Sequence, residues 1–394
     1  MKELVTVGVT GTNGKTSTTH FLASALGALA KPVGVITTIG MFLDETRVDA
    51  PRSYAGMLDV LSRARAAGGR FAALEVTSEV LARGFAQAFP FRAAAFTNLT
   101  RDHFDAHGSA EHYFASKAQL FRALPAGGVA VVNGADEVAD LLREVTPAHA
   151  RFLSYGVASR GEAQLPLTAK AEVTALDFEG TAFSVELSAD FGGGLVELRT
   201  RAIGEVFAEN ALCAWLMAVA LGVSADSARD AIAARSAPSG RFEVVAAAPW
   251  VVVDYAHTPD ALARTLDTAR RLSRGRVSVV FGAGGNRDRG KRPQLGAAAA
   301  AADRVVITND NPRSEDPRAI ADAIRAGLPA TADVVIELDR VKAVELAVLG
   351  AAEDDVIVLA GKGHESTQTA DGHADEQSDQ ALGRAAHAKR ARRG

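Results

Sequence analysis

Short apolar runs alternate with stretches of helical period along most of this 394-residue chain. "LVTVGVT" is a β-branched run. The next segment, "KTSTTHFLASALGAL", spaces its apolar residues for one helix face. The pattern continues through "PVGVITT", the helical "AGMLDVLSRARAAG", the strand-like "FAALEVT" and "AAAFTNL", the helical "SAEHYFASKAQLFRAL" and the strand-like "GVAVVNG". Repeated βα order predicts a mostly parallel sheet covered by helices. Residues 170–205 instead alternate apolar and polar positions, which predicts antiparallel strands added at an edge. Pro238, Ser239 and Gly240 interrupt the pattern after a helix. A second α/β series follows: "WVVVDYA", a helix from Pro259, "VSVVFGAG", "RVVITND", "DVVIELD" and "DVIVLAGKGHE", each strand expected to lead into an alanine-rich helix. The fold expected is α/β throughout: a P-loop-type, mostly parallel sheet domain over residues 1–239, then a Rossmann-like α/β domain over 240–394.

Composition narrows the partners. A net charge of −4 with 23% charged residues gives no support for a nucleic-acid or membrane-surface partner. The basic tail "AKRARRG" reads as a solvated end. "NALCAWLMAVALG" is too short to span a bilayer, which needs ~20 apolar residues. Cys213, the single cysteine, lies in that run and reads as a buried thiol in a reducing compartment. No signal-peptide pattern opens the sequence, so a cytoplasmic protein is expected.

Candidate chemistry begins at "GVTGTNGKTS". Gly8, Gly11 and Gly14 precede Lys15 and Thr16 in the spacing G-x-x-G-x-x-G-K-T. Strict Walker spacing would need glycine at Val9, but the physics is shared. Glycines let backbone N–H groups face phosphate oxygens, the helix N-terminus adds its dipole, the lysine reaches β/γ-phosphates and the threonine suits Mg²⁺. The expected nucleotide-binding stretch is Gly11, Thr12, Asn13, Gly14, Lys15, Thr16 and Ser17. Glu75 ends a strand, where ligands of open parallel sheets gather. "FTNLTRDHFDAHG" groups Asn98, Asp102, His103 and His107, and "YFASKAQLF" puts Lys117 on a helix among apolar positions.

Together these stretches resemble the central domain of the Mur ligase family, ATP-dependent amide ligases of peptidoglycan synthesis. "GEVFAENALCA" resembles the family's adenine-side segment, with Asn210. "SGRFEVV" and "VVVDYAHTPDAL" resemble the segments carrying an ATP-contacting arginine (Arg241) and an Asp-x-x-His pair (Asp254, His257). "GAGGNRDRGKRP", "TNDNPRSEDP" and "AGKGHESTQ" resemble the MurE branch. The resemblance implies a central ATP-binding domain followed by a C-terminal amino-acid-binding domain. It implies ATP with two Mg²⁺ ions, one held by Thr16 and Glu75, the other served by His103 and a carbamylated Lys117. Lys15 and Arg241 would stabilise phosphoryl charge. An acceptor carboxylate would attack the γ-phosphate, and an amine would then attack the acyl carbon. Asp310, Asn311, Arg313, Gly361 and Glu365 would receive the amine, with Thr77 and Ser78 on the acceptor side. Arg313 favours meso-diaminopimelate over lysine or ornithine, because a guanidinium grips a distal carboxylate bidentately. Small-molecule substrates and a monomer are expected.

Two stretches depart from the MurE pattern. Thr77-Ser78-Glu79 stands where that branch has Ser-Ser-His, and Asp49-Ala50-Pro51 where it has Thr-Thr-Pro. Each brings a carboxylate to the acceptor side. The branch also carries an N-terminal domain that binds the acceptor's uridine diphosphate, on the order of 100 residues. Only Met1 to Leu4 precede the first strand, so that domain is expected to be absent. The acceptor is therefore either UDP-N-acetylmuramoyl-L-alanyl-D-glutamate or a UDP-free carboxylate. A regulatory module that binds nucleotide without turnover is the reading from another class.

Overall fold

The computed structural model describes residues 4–100, 109–370 and 372–392. The chain divides into two compact units, Met1–Ser236 and Ala237–Gly394.

In the first unit eleven described strands form one sheet. They are β1 (Val5–Thr10), β2 (Gly34–Thr37), β3 (Gly40–Leu43), β4 (Thr46–Arg47), β5 (Phe71–Glu75), β6 (Ala93–Phe96), β7 (Val129–Asn133), β8 (Arg151–Val157), β9 (Ala169–Asp177), β10 (Gly180–Leu187) and β11 (Leu195–Thr200). Their order is β11-β10-β9-β8-β7-β6-β1-β5-β2-β3-β4. From β9 to β2 neighbouring strands run parallel. The two flanks, β9-β10-β11 and β2-β3-β4, are antiparallel. Sequence explains the division. Strands β6 and β7 are buried along their whole length and read as apolar runs up to Asn133 at the end of β7, as strands covered on both faces do. The start of β9 alternates buried and exposed residues, as a one-faced edge strand does. The hairpin β3-β4 carries no such signal in the sequence.

Beside this sheet lies the helix Glu205–Ala220, in which every residue from Phe207 to Ala218 is buried. Apart from Glu209 and Asn210 that buried stretch is apolar all round, as a core helix is. Its Cys213 is a buried free thiol, pushed up to about 12 by burial. Among the described residues no helix is long and apolar enough to cross a membrane.

The second unit holds a six-stranded sheet: β12 (Glu243–Ala246), β13 (Trp250–Asp254), β14 (Val277–Phe281), β15 (Arg304–Ile307), β16 (Val334–Ile336) and β17 (Val356–Ala360), ordered β12-β13-β17-β14-β15-β16. All neighbours are parallel except β12, an antiparallel edge strand. Val251, Val253, Val280, Val306, Ile357 and Leu359 pack into its core. Helix starts are set by their caps. Thr258 accepts from the Ala261 N–H ahead of Pro259, and Asp316 accepts from Arg318 N–H ahead of Pro317. One expectation needs correcting. β17 does not lead directly into a helix. A hairpin of β18 (Thr367–Ala370) and β19 (His373–Glu376) comes first, because residues 361–378 are polar and lack helical apolar spacing.

Candidate functional site

The site residues fall into a phosphate cradle in the first unit and a polar loop cluster in the second. The cradle is the turn Gly11–Gly14 between β1 and the helix Lys15–Gly27. The turn is laced to the segment leaving β6. Thr12 N–H donates to Asn98 O at 2.7 Å, and Asn13 N–H to Asn98 Oδ1 at 2.9 Å. The Thr97 hydroxyl donates to Asn13 O at 2.6 Å. Glycine is required at two points. A Cβ on Gly11 (φ +148) would lie 1.9 Å from Thr97 Oγ1, and one on Gly14 (φ +85) would lie 2.5 Å from Asn210 Oδ1. The buried Asn210 is thus brought from the core helix to the mouth of the cradle. Gly14 caps its helix with no side-chain hydrogen bond, as a helix start shaped for an anion would.

Lys15 Nζ donates to Thr12 O at 2.7 Å, folding over the turn. The Thr16 hydroxyl donates to Glu75 Oε2 at 2.8 Å. The same carboxylate accepts from Thr38 N–H and the Thr38 hydroxyl, both at 3.1 Å. Sequence reasoning missed Thr38, which stands in a short turn after β2 with nothing in its spacing to single it out. Lys117 is 1% exposed. Its Nζ donates to Gly11 O at 2.7 Å and lies 4.3 Å from the Tyr113 ring centroid. Tyr113, also missed, places its hydroxyl 3.2 Å from Thr12 Oγ1. Asp102, His103 and His107 lie outside the described residues. Ser78 is buried, and Thr77 holds the N-cap position of the short helix Ser78–Ala82.

The donor set fits one Mg²⁺. A hydroxyl and a carboxylate 2.8 Å apart beside a phosphate cradle are the hard-oxygen contribution that this ion takes from protein, the rest coming from phosphates and water. Among the described residues no three His, Cys, Asp or Glu side chains converge, so no all-protein cage is formed there. Lys117, as an amine donating to Gly11 O, is not a metal ligand in this form.

In the second unit Arg241 stacks its guanidinium over the Tyr255 ring at 4.2 Å. The Asp254 carboxylate accepts from Phe242 N–H at 2.7 Å, Ala256 N–H at 2.9 Å and the Thr265 hydroxyl at 2.9 Å. Those bonds hold the turn that carries Arg241, and burial raises the Asp254 pKa. His257 Nδ1 lies 2.8 Å from Tyr255 O.

The loops after β15 and β17 meet. Asn311 Nδ2 donates to Glu365 Oε2 at 2.9 Å, while Asn311 Oδ1 accepts from Thr369 N–H at 2.8 Å. Gly361 (φ +108) lies so close to Asp310 that a Cβ there would be 2.5 Å from Asp310 Oδ2. Half-buried Arg313 (φ +55) donates through Nη1 to Gly285 O at 2.8 Å. Glu315, two residues further on, pairs with Arg292 at 2.9 Å and Arg289 at 3.1 Å. Those bonds, with one from Asn286 N–H, hold the Glu315 carboxyl at about 2. Burial raises the pKa of both Asp310 and Glu365, in Glu365 with help from the Asp310 charge; Lys362 and Arg313 oppose the rise in each, joined by Arg340 at Asp310 and by the Asn311 hydrogen bond at Glu365.

Residues 9–218 match the Mur ligase middle domain, and residues 240–363 match the Mur ligase glutamate ligase domain. A UDP-N-acetylmuramoyl-L-alanyl-D-glutamate–2,6-diaminopimelate ligase of Thermosynechococcus vestitus is 37% identical over 93% of this chain and 73% of its own length. The Pseudomonas putida protein of the same name is 39% identical over 96% and 77%. A solved structure with that name superposes with a TM-score of 0.66 at 31% identity, covering 99% of this chain and 79% of the other. The MurF ligase of Thermotoga maritima, solved with ADP, shares the fold at 17% identity with a TM-score of 0.71, covering 100% and 81%. The cradle and the strand-end carboxylate thus lie in the unit matched by the middle-domain family and the paired loops in the unit matched by the glutamate ligase domain family, and the chain belongs to the Mur ligase family of ATP-dependent ligases.

Proposed function

We propose that this chain is an acid–amino-acid ligase that joins a diamino acid to the terminal carboxylate of UDP-N-acetylmuramoyl-L-alanyl-D-glutamate. The observation that carries the reading is the meeting of Asn311 with Glu365 at 2.9 Å, beside Arg313. One cluster there offers a carboxylate for an ammonium and a guanidinium for a carboxylate. Meso-diaminopimelate presents both groups at its distal end, whereas lysine and ornithine present only the ammonium. Guanidinium geometry suits the bidentate contact.

In this reading the Gly11–Gly14 amides and Lys15 bind the ATP phosphates, and Asn210 closes the mouth of the cradle. Thr16 and Glu75 hold Mg²⁺, which when bound neutralises phosphate charge as two anions approach. A carboxylate oxygen of the acceptor bonds to the γ-phosphorus as the bond to ADP breaks. The incoming amine then bonds to the acyl carbon, loses a proton, and phosphate departs. Arg241 stabilises the moving phosphoryl charge, and the turn held by Asp254, with His257, completes the nucleotide contacts. Carbamylation of Lys117 would turn it from a donor to Gly11 O into an oxygen ligand, and with His103 it would then serve a second ion, as the family resemblance implies. The residues supply position and charge more than covalent chemistry. The protein acts as a cytoplasmic monomer.

A second reading keeps the reaction and changes the acceptor to a UDP-free carboxylate. It is favoured by Asp49, which is exposed, and by Glu79 in the first turn of the helix Ser78–Ala82, two added carboxylates on the acceptor side. One experiment separates the readings. Purified protein is given ATP, Mg²⁺ and the UDP-muramoyl dipeptide with diaminopimelate, lysine or ornithine, and phosphate release and product mass are followed. The first reading expects the diaminopimelate adduct. Product with none of the three amines excludes that acceptor.

A further inference from the structure

A fully buried ion pair lies beneath the loop cluster of the second unit. Asp379 accepts from Arg340 Nε at 2.7 Å and from Nη2 at 2.6 Å, and both side chains are 0% exposed. The guanidinium has donors left over. Nη1 donates to Asn309 O at 3.0 Å, and Nη2 donates to Ala360 O at 3.1 Å. Asn309 immediately precedes Asp310, and Ala360 immediately precedes Gly361. Both recognition loops therefore start from carbonyls held by a single side chain.

We propose that Arg340 and Asp379 are a positioning pair that sets the spacing between the Asp310–Arg313 loop and the Gly361–Glu365 loop, and so sets affinity for the distal end of the incoming diamino acid. This rests on the reading of those loops as the amine site. Three observations support it. First, the contact demands a planar fork: four hydrogen bonds at fixed angles fit guanidinium and not an ammonium. Second, the loops touch where spacing has no slack, at Gly361 against Asp310. Displacing either loop must move the other, because packed interiors transmit strain. Third, burying an ion pair is a poor route to stability compared with apolar side chains of like volume, which leaves geometry as its contribution. Arg340 also faces Asp310, as does Lys362, and their charges oppose the burial that raises the Asp310 pKa.

The test uses the full chain and two variants. Arg340→Lys keeps the charge and loses the fork. Arg340→Met with Asp379→Leu removes both charges and keeps the volume filled, so that folding survives. Diamino-acid affinity is measured by calorimetry and as KM, nucleotide affinity by titration, and stability by thermal unfolding. Both variants are expected to weaken the diamino acid at least tenfold, while nucleotide affinity changes less than threefold and the double variant melts within a few degrees of the parent. Unchanged amine affinity in folded variants overturns the proposal. So does an equal loss of amine and nucleotide affinity, or unfolding of both variants at the assay temperature; the pair would then support the fold in general. A parent chain that binds no diamino acid overturns the functional reading as well, and this differs from the other outcomes because the defect precedes any substitution.

Discussion

Thr16 and Glu75 are joined by a hydrogen bond of 2.8 Å, which links the first turn after the phosphate cradle to the end of β5. Glu75 accepts from Thr38 as well, so its carboxylate is oriented before any ion arrives. Glu75→Gln keeps the shape and one acceptor oxygen but removes the charge. Stability is expected to fall by no more than about 1 kcal/mol, the net worth of a hydrogen bond. Turnover is expected to fall by about 100-fold, with the Mg²⁺ concentration for half-saturation rising. A magnesium titration of steady-state phosphate release checks this; an unaltered magnesium dependence would remove Glu75 from the metal site.

The two cradle glycines differ in how they fail. At Gly11 an added Cβ meets the Thr97 hydroxyl, which itself holds Asn13 O. At Gly14 it meets only the end of the Asn210 side chain. Both positions also carry a backbone conformation unfavourable for alanine by roughly 1–2 kcal/mol. Gly11→Ala is therefore expected to lose both stability and nucleotide binding, whatever is done at Asn210. Gly14→Ala combined with Asn210→Ala should be less damaged than the sum of the two single variants. A double-mutant cycle on nucleotide affinity and unfolding free energy measures that coupling.

Asp136 is expected to give the first unit a pH dependence. Its Oδ2 accepts from Leu99 N–H at 2.8 Å and its Oδ1 from Val138 N–H at 3.1 Å, anchoring the segment that leaves β6. Burial nevertheless raises its pKa to about 6, with the Glu209 and Glu137 charges adding to the rise. The folded state then binds the proton more tightly than the unfolded state. Stability is expected to fall as pH rises from about 4 to about 6, by at most about 3 kcal/mol from this group. Unfolding free energies across that window should show the slope, and Asp136→Asn should flatten it. A slope of the opposite sign that disappears in the variant would mean that the hydrogen bonds outweigh burial.

What was legible in the sequence tracks how local its cause is. The βα order could be read because β6, β7, β13 and β14 lie inside covered sheets and are written as mostly apolar runs, with Ser278 the one polar residue inside them and Asn133 and Asp254 at strand ends. The cradle could be read because a turn that brings backbone to phosphate needs glycine at fixed spacing. The hairpin β3-β4 could not, since its two-residue edge strand is exposed and polar. Arg340 could not either: "LDRVKAV" looks like an ordinary capped helix start, with Asp339 accepting from Val341 and Lys342 N–H. Only the fold brings Asp379, thirty-nine residues later in sequence, against it. Lys117 stood among apolar positions, and its complete burial against Gly11 and Tyr113 depends on a partner more than a hundred residues away.

Arg313 offers the sharpest test of amine choice. Its backbone is left-handed (φ +55), and Nη1 is fixed on Gly285 O at 2.8 Å, which orients the guanidinium plane. The left-handed conformation costs similar amounts for arginine, lysine and alanine, so substitutions here compare side chains and not backbones. Losing a charge-assisted bidentate contact is worth ~1.5–3 kcal/mol, or about 10- to 150-fold in affinity. Arg313→Ala is expected to raise the KM for meso-diaminopimelate by that factor and to leave the KM for lysine nearly unchanged, because lysine has no distal carboxylate to lose. Arg313→Lys should restore little, since an ammonium lacks the fork. Steady-state kinetics with both amines in parallel decide the matter. Equal shifts for the two would show that Arg313 shapes the loop without gripping the distal carboxylate, and the preference for diaminopimelate would then have to arise elsewhere in the cluster.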